Sequence, residues 1–350
     1  MKNLSFLPEF LQKAYVFQGI EAFANLPYFQ KDEEGNLVIS PQYRRPVIDM
    51  HTHLCMAFVL PLRVDMAKTT EEVQYYLPAD AKIDLHKYQS HNIPNMKKVK
   101  RDLTIMTLTK RGMRTTHTSA NMLRDMDRMG IEKSLILAID YPILSKNSEY
   151  VLQQCQKHSR FVGYGSVHPL SRGVEKKLDR LVELGAKGVK MHPSVQLIRP
   201  DHPKAIRLYR LCAERNLPVF FHCGPVGVEP YISRRRCRLI YYQRALEKCL
   251  DTVFILGHSG ALELEKAIEL EKLHPRVYYE ICGPGLRSLR KLLLSVSLDR
   301  IFYGTDWPFY HQSIQLSKVF ITTEDFPNKE EVRDKILYEN AKNFLENYLS

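Results

Sequence analysis

The sequence lacks the features of a membrane-spanning or disulfide-stabilised protein. No run in its 350 residues approaches about 18 uninterrupted apolar residues, the length that predicts a transmembrane helix. The seven cysteines are scattered without CxxC or CxxxC pairs, which argues against a disulfide framework or a structural zinc site. The N-terminal apolar stretch contains Glu9 and Lys13, unlike a secretory signal peptide. These absences predict a cytoplasmic protein with free thiols.

The composition is that of a globular chain with a basic bias. Apolar residues make up 44% of the chain and charged residues 26%, so a sizeable core can be buried. Lys and Arg number 51 against 39 Asp and Glu, giving a net charge of +12 that favours anionic partners. The basic residues form no dominant tract, which argues against nucleic acid. We therefore expect a small anionic molecule as the partner, and neither nucleic acid nor a membrane.

Short β-branched or aromatic runs recur from Val47 onward, each followed by a helical pattern, as in the βα units of a parallel sheet. Eight runs are present, at 47–53, 134–140, 162–168, 188–192, 218–223, 253–259, 277–282 and 301–306. Eight strands close a barrel, whereas open doubly wound sheets usually have about five to seven. The sequence therefore predicts an α/β fold, a TIM (β/α)8 barrel over residues 47–350.

The intervening segments support this prediction. Helical patterns cover 174–184, 201–216, 238–250, 261–273 and 286–296. Gly185 follows the first of these and suits a C-terminal cap.

Residues 1–46 form an N-terminal extension outside the repeat. Apolar residues recur there with helical spacing, at Phe10, Ala14, Phe17 and Ile20. This spacing predicts one helix that packs on the barrel or on a partner subunit, so a homo-oligomer is an open possibility.

Residues 54–117 form an insertion between the first strand and the first regular helix. They leave the carboxyl end of that strand, where loops of this fold build active sites. We therefore expect the insertion to form a lid or a pocket wall near the active site.

The first strand ends in the sequence DMHTH, residues 49–53. The period of two in a strand predicts that Asp49, His51 and His53 point to one side. Two imidazoles with this spacing can chelate one ion, although an isolated HxH pair is often only hydrogen-bonded.

Three further ligand-type residues, His222, His258 and Asp306, end later strands at the rim where this fold places its chemistry. Each alone could be a hydrogen-bonded core residue or a helix cap. Burying all these imidazoles with a carboxylate around one barrel mouth would be costly without a metal.

The sequence resembles the amidohydrolase superfamily in six ordered motifs: DMHTHL, VKMHPS, PVFFHCGP, LGHSGA, YGTDWPF and ILYENAKNFL. It is most similar to the amidohydrolase-related branch that includes the aminocarboxymuconate semialdehyde decarboxylase group. The resemblance extends from Val47 to about Leu345, apart from the insertion. It implies a metal-dependent barrel enzyme and leaves the substrate open.

The resemblance also implies site roles. The ligands of a divalent metal, most often zinc, would be His51, His53, His222 and Asp306. His258 would orient or deprotonate a bound water, and Asp306 could also accept its proton. Imidazole and carboxylate groups suit Zn²⁺, and a bound cation lowers the pKa of water to about 7.

Lys190 and His192 end the fourth strand. In binuclear relatives a lysine at this position is carboxylated and bridges two metals, whereas mononuclear relatives often carry a basic residue there to bind substrate. We predict one ion, with two if Lys190 is carboxylated. His192 could polarise a substrate carbonyl or phosphoryl oxygen.

Four arginines follow the fifth strand: Arg234, Arg235, Arg236 and Arg238. They could bind a substrate carboxylate, but consecutive side chains cannot all reach one ligand, so we expect a solvated edge with at most one arginine directed inward.

The leading hypothesis is a metal-dependent hydrolase that activates water for attack on an amide, lactone or ester of a small, carboxylate-bearing substrate. Non-oxidative decarboxylation of an aromatic or muconate-like acid is the alternative. A metal-dependent nuclease is disfavoured because Lys190 stands where that class usually has a glutamate. A non-catalytic scaffold is disfavoured by the intact set of ligand-type residues.

Overall fold

The structure, a computed structural model, describes residues 8–55, 64–141 and 145–349. Its strands are β1 (Val16–Gln18), β2 (Phe29–Lys31), β3 (Leu37–Ile39), β4 (Val47–Thr52), β5 (Lys82–Asp84), β6 (Ile131–Leu137), β7 (Phe161–Tyr164), β8 (Val189–Met191), β9 (Val219–His222), β10 (Phe254–Gly257), β11 (Val277–Glu280) and β12 (Ile301–Phe302). Its α-helices are α1 (Met96–Thr104), α2 (Ser119–Met129), α3 (Asn147–Cys155), α4 (Val174–Glu183), α5 (Pro203–Ala213), α6 (Tyr231–Arg234), α7 (Leu239–Glu247), α8 (Leu264–Leu273), α9 (Leu286–Ser295), α10 (Gln312–Thr322), α11 (Lys329–Asp334) and α12 (Asn340–Leu349).

Eight parallel strands form the barrel predicted from the sequence. They pair in two groups, β4-β6-β7 and β8-β9-β10-β11-β12. The groups are joined at both edges by parallel bridges, between Gly165 and Val189 and between Thr52 and Trp307. The strands therefore follow one another around a cylinder in chain order. This confirms the α/β barrel.

The predicted helices correspond to α4, α5, α7, α8 and α9, with ends that differ by a few residues. Gly185 adopts φ +84° after α4, and its N–H donates to the carbonyl of Val182 over 2.8 Å. This is the predicted C-terminal cap. Within the described ranges, no helix is long and apolar enough to span a bilayer.

An apolar cluster fills the barrel on the amino-terminal side of the candidate ligands. Met50 precedes His51, Phe220 precedes His222, and both apolar side chains are fully buried. Phe344 of α12 belongs to the same cluster. The interior is therefore packed at one end, and polar groups concentrate at the carboxyl ends of the strands.

Residues 10–20 of the N-terminal extension do not form the predicted helix. Glu9–Gln12 and Ile20–Asn25 are short 3₁₀ turns, and β1 between them pairs antiparallel with β5 of the insertion. Gly19 ends β1 with φ +76°, and Phe17 packs edge-on against Phe23 with ring centroids 4.7 Å apart. Long-range strand pairing, which helical periodicity cannot reveal, overrides the local pattern.

The insertion is held against the barrel mouth at both its ends and its middle. The N–H of Cys55 donates to the carbonyl of His117 over 3.0 Å, which brings its two ends together. The N–H of Gln89 donates to the carbonyl of Gly283, after β11, over 2.9 Å. Residues 56–63 of the predicted insertion lie outside the described residues.

His117, at the end of the insertion, is fully buried, with Nε2 3.0 Å from the carbonyl oxygen of Gln74. Burial lowers the pKa of His117 to about 4; the Gln74 hydrogen bond opposes this effect and Arg114 adds to it. The unfolded histidine has a pKa of about 6.5, so the unfolded chain takes up a proton first as the pH falls. The stability linked to His117 is thus complete above pH 6.5 and is lost as the pH approaches 4.

His117→Gln should reduce the acid sensitivity of folding. Between about pH 7.5 and pH 4.5, the wild-type free energy of unfolding should fall by on the order of 3 kcal/mol more than that of the variant. Urea unfolding at both pH values measures the difference. Replacement of the exposed His91 by Gln is the control, and equal pH dependence in His117→Gln and wild type would contradict the prediction.

Candidate metal centre

Three ligand-type side chains converge where β12 meets β4. Nε2 of His51 lies 3.5 Å from Oδ1 of Asp306, and Nε2 of His53 lies 3.4 Å from the same oxygen. The N–H of Asp306 donates to the carbonyl of His51 over 2.7 Å. Two ligands at about 2.0–2.1 Å from a tetrahedral zinc ion lie about 3.4 Å apart. The spacing and the donor types therefore fit a divalent metal.

Both histidines are oriented by hydrogen bonds on their other ring nitrogen. Nδ1 of His53 lies 2.7 Å from the carbonyl oxygen of Leu137. Nδ1 of His51 lies 2.6 Å from Oε2 of Glu280. Such contacts fix the ring and direct Nε2 towards a metal.

Glu280 is fully buried beneath His51. It also accepts backbone N–H groups on both oxygens, from Cys282 over 2.5 Å and from His258 over 3.0 Å. Burial raises the pKa of Glu280 to about 8, and burial lowers the pKa of His51. The contact between them therefore joins two groups that low polarity favours in their uncharged forms.

Asp49 does not join this group, contrary to the shared face predicted for it. The register between β4 and β6 shifts between Asp49 and Thr52, which breaks the period of two. The Asp49 carboxylate accepts the N–H of His51 over 3.1 Å and the Thr305 hydroxyl over 2.6 Å. It ties β4 to the segment that carries Asp306.

His222 lies beside the three converging side chains, and both of its ring nitrogens are engaged. Nδ1 is 3.2 Å from Nε2 of His258, and Nε2 is 3.1 Å from Oε1 of Glu229. Among the described residues, the ligand atoms of His51, His53 and Asp306 all lie within 4.8 Å of one another. At the same spacing, His222 groups with Glu229 and Cys237 instead. A ligand role for His222 stays a prediction.

Lys190 and His192 also reach this region. Nζ of Lys190 is fully buried, 3.4 Å from Nε2 of His51 and 4.4 Å from the centroid of the Phe220 ring. Burial lowers the pKa of Lys190 to about 7. His192 stacks on His222 with ring centroids 3.9 Å apart. Their roles in binding a second metal or the substrate stay predictions.

The backbone is strained where two of these side chains are presented. His258 has φ +63° and Asp306 has φ +59°, in the left-handed region. Each such residue costs on the order of 1–3 kcal/mol, and such conformations cluster at functional sites. Burial also lowers the pKa of His258, so its imidazole is uncharged at neutral pH.

A cavity of about 610 Å³ opens above these groups. Its wall is mainly apolar, with contributions from Ile139, Val226 and Phe309. The insertion contributes Tyr88 and Arg101, among others. The role of the insertion as a pocket wall or a lid of the active site stays a prediction.

Of the four arginines after β9, one lines the cavity. Arg236 lines the cavity, whereas Arg235 and Arg238 are exposed. Arg234 donates to the carbonyl of Gly227 over 2.9 Å.

The family of the chain follows from its match to known sequences. A family model described as amidohydrolase matches residues 48–346, which include the barrel and all the ligand-type residues. The chain belongs to the amidohydrolase family. The amidohydrolase family is metal-dependent, and the cluster of His51, His53 and Asp306 could hold its ion. A search of curated protein sequences finds no significant match.

Solved structures share the amidohydrolase barrel at low sequence identity. An uncharacterized TIM-barrel protein from Bordetella bronchiseptica is 18% identical, with a TM-score of 0.61 and coverage of 87% of this chain and 99% of that one. A probable 2-pyrone-4,6-dicarboxylic acid hydrolase from Acinetobacter baumannii, with citric acid bound, is 13% identical, with a TM-score of 0.54 and coverage of 86% of this chain and 99% of that one. A dihydroxybenzoic acid decarboxylase from Polaromonas, with manganese and the inhibitor 2-nitroresorcinol, is 16% identical, with a TM-score of 0.54 and coverage of 85% of this chain and 97% of that one. At these identities the likeness establishes the fold.

Sequence reasoning assigned no role to Glu229 or Glu280. Glu280 lies inside a predicted strand, where its contact with His51, 229 residues away in sequence, leaves no local signal. Glu229 follows His222 by only seven residues, and that spacing after a strand end was an available signal.

Glu280→Gln should weaken metal binding. The amide offers one acceptor oxygen where the carboxyl group offers two, and Oε2 contacts both the N–H of His258 and Nδ1 of His51. With the amide nitrogen in place of Oε2, both contacts lose their acceptor; with the amide nitrogen in place of Oε1, it faces the N–H of Cys282 and the side chain must move. In either orientation the His51 ring is held less firmly. We expect about 10- to 100-fold lower Zn²⁺ affinity, measured by competition with a chromogenic chelator. Glu265→Gln, on the exposed surface, is the control. Unchanged affinity in Glu280→Gln would show that Glu280 does not orient the ligand.

Proposed function

We propose that the chain is a metal-dependent hydrolase that cleaves an amide, lactone or ester of a small, carboxylate-bearing substrate. The observation that carries this proposal is the position of the His258 imidazole beside the metal-binding group. A ring nitrogen of His258 lies within 4.8 Å of a carboxylate oxygen of Asp306, which is itself 3.4–3.5 Å from His51 and His53.

We take the resident ion to be a single Zn²⁺ held by His51, His53 and Asp306, with His222 as the predicted fourth ligand. Such an ion polarises a carbonyl oxygen and lowers the pKa of water, which makes a nucleophile available at neutral pH. Lys190 then serves as a substrate contact.

His258 can accept the proton released in hydrolysis. Burial keeps His258 uncharged, so its Nε2 can accept a proton. Nδ1 of His222 lies 3.2 Å from that atom, and the Glu229 carboxylate contacts the other nitrogen of His222. If His222 binds the ion through Nδ1, its other ring nitrogen donates to Glu229, and this contact orients the His222 ring.

The cavity lining supports an anionic substrate with an apolar body. Lys100, Arg101 and Arg236 contribute positive charge to a wall that is otherwise mainly apolar. Two of the related structures contain small molecules that carry oxygen groups, citric acid and 2-nitroresorcinol. Cytoplasmic location and self-association stay predictions.

Decarboxylation of an aromatic acid is a second candidate, favoured by the apolar wall. Transfer of a carboxylate into an apolar surrounding destabilises its charge and so favours loss of carbon dioxide. The electron pair left on the ring carbon must then be protonated by an acidic group of the site. The related decarboxylase from Polaromonas contains manganese, so Mn²⁺ must be tested beside Zn²⁺.

The two reactions are separated by their products. Protein loaded with Zn²⁺ or Mn²⁺ is incubated with carboxylate-bearing lactones, amides and esters and with aromatic acids. The proposal expects ring opening or acid release without carbon dioxide. Carbon dioxide release, with no lactone, amide or ester cleaved, would overturn it in favour of decarboxylation.

His258→Asn should reduce turnover without removing the metal. Asparagine tolerates the left-handed backbone at this position but cannot accept the proton. We expect kcat to fall by about 10²- to 10⁴-fold on the substrate found in the panel, with metal content unchanged. His158→Asn, outside the cavity, is the control. Wild-type kcat in His258→Asn would exclude His258 as the base.

A further inference from the structure

The insertion places a tyrosine hydroxyl at the cavity without a partner. Tyr88 lines the cavity together with His51 and Asp306. Its hydroxyl oxygen is buried and has no hydrogen-bond partner among the described residues. Of the buried, unpartnered side-chain atoms in the described ranges, it is the one whose residue lines this cavity. Because an unpartnered buried hydroxyl is unfavourable, its presence here needs an explanation.

The hydroxyl is a donor in this environment. Burial raises the pKa of Tyr88, and Tyr310, Cys282, Glu229 and Asp306 add to the effect through their electrostatic influence. The phenol therefore keeps its proton at neutral pH, and it lies within electrostatic range of Asp306, a candidate metal ligand.

The backbone at Tyr88 is held in place through its neighbour Gln89. Its neighbour Gln89 exchanges two hydrogen bonds with Gly283: the N–H of Gln89 donates over 2.9 Å, and Oε1 accepts the N–H of Gly283 over 3.1 Å. The buried ammonium of Lys318 donates to the same Oε1 over 3.3 Å and to the carbonyl of Pro284 over 2.9 Å. A side chain held this firmly is suited to a specific contact.

Gly283 also makes room for the ring. A Cβ at this position would lie 2.6 Å from the Tyr88 hydroxyl oxygen, and the residue has φ +108°. A side chain at position 283 is therefore excluded both by the Tyr88 ring and by the backbone conformation.

We propose that Tyr88 contacts the substrate: its hydroxyl donates a hydrogen bond to a substrate oxygen, a carboxylate or carbonyl oxygen, while the reacting carbon lies at the metal centre. This inference rests on the proposed function only for the identity of the substrate. It gives the insertion a direct part in substrate selection, because an analogue without that oxygen would leave the hydroxyl unpartnered.

The test compares Tyr88 with a second tyrosine that also has a buried, unpartnered hydroxyl but does not line the cavity. Tyr164 also has a buried, unpartnered hydroxyl, but it belongs to the apolar cluster inside the barrel. Tyr88→Phe and Tyr164→Phe each remove one such hydroxyl, so neither should lower the thermal unfolding temperature. Benzoate binding to the Zn²⁺-loaded proteins is measured by titration calorimetry. We expect about 10-fold or greater weakening in Tyr88→Phe and none in Tyr164→Phe.

Equal benzoate affinity in Tyr88→Phe and wild type would overturn the proposed contact, as would the same loss in Tyr164→Phe. Turnover of the panel substrates is measured in parallel. Weaker benzoate binding in Tyr88→Phe without hydrolysis by the wild type would leave the contact standing and remove the proposed reaction. Hydrolysis by the wild type, together with equal benzoate affinity in Tyr88→Phe and wild type, would support the proposed reaction and overturn the Tyr88 contact.

Discussion

The closing seam between β12 and β4 determines the geometry of the site. The N–H of Asp306 donates to the carbonyl of His51, and Asp49 binds the Thr305 hydroxyl across the same seam. These bonds join the first and last strands of the barrel and set carboxylate and imidazole groups 3.4–3.5 Å apart. The grouping of these candidate ligands is thus a consequence of barrel closure rather than of any local motif.

Burial at this rim controls protonation. Because charged imidazoles are poorly solvated there, burial lowers the pKa values of His51, His192 and His258. Uncharged imidazoles are the form that can bind a metal or accept a proton. The same low polarity explains why Glu229 and Glu280 each contact one histidine of the group.

Periodicity in the sequence predicted the eight strands and the rim positions of His51, His222 and Asp306, because strand ends are local features. It failed where long-range contacts decide the structure. Strand pairing with the insertion replaced the helix expected through Phe17, and an irregular register turned Asp49 away from the histidines. Tyr88 left no local signal, because its position depends on distant partners of its neighbour Gln89.

The central claim is that His51, His53 and Asp306 bind one divalent ion at the carboxyl ends of the strands. A crystal structure of the Zn²⁺-loaded protein, with an anomalous difference map at the zinc edge, tests this directly. The account predicts one strong peak within about 2.0–2.2 Å of both imidazole nitrogens and a carboxylate oxygen. A map without a peak between these side chains, from protein shown to contain stoichiometric zinc, would contradict it.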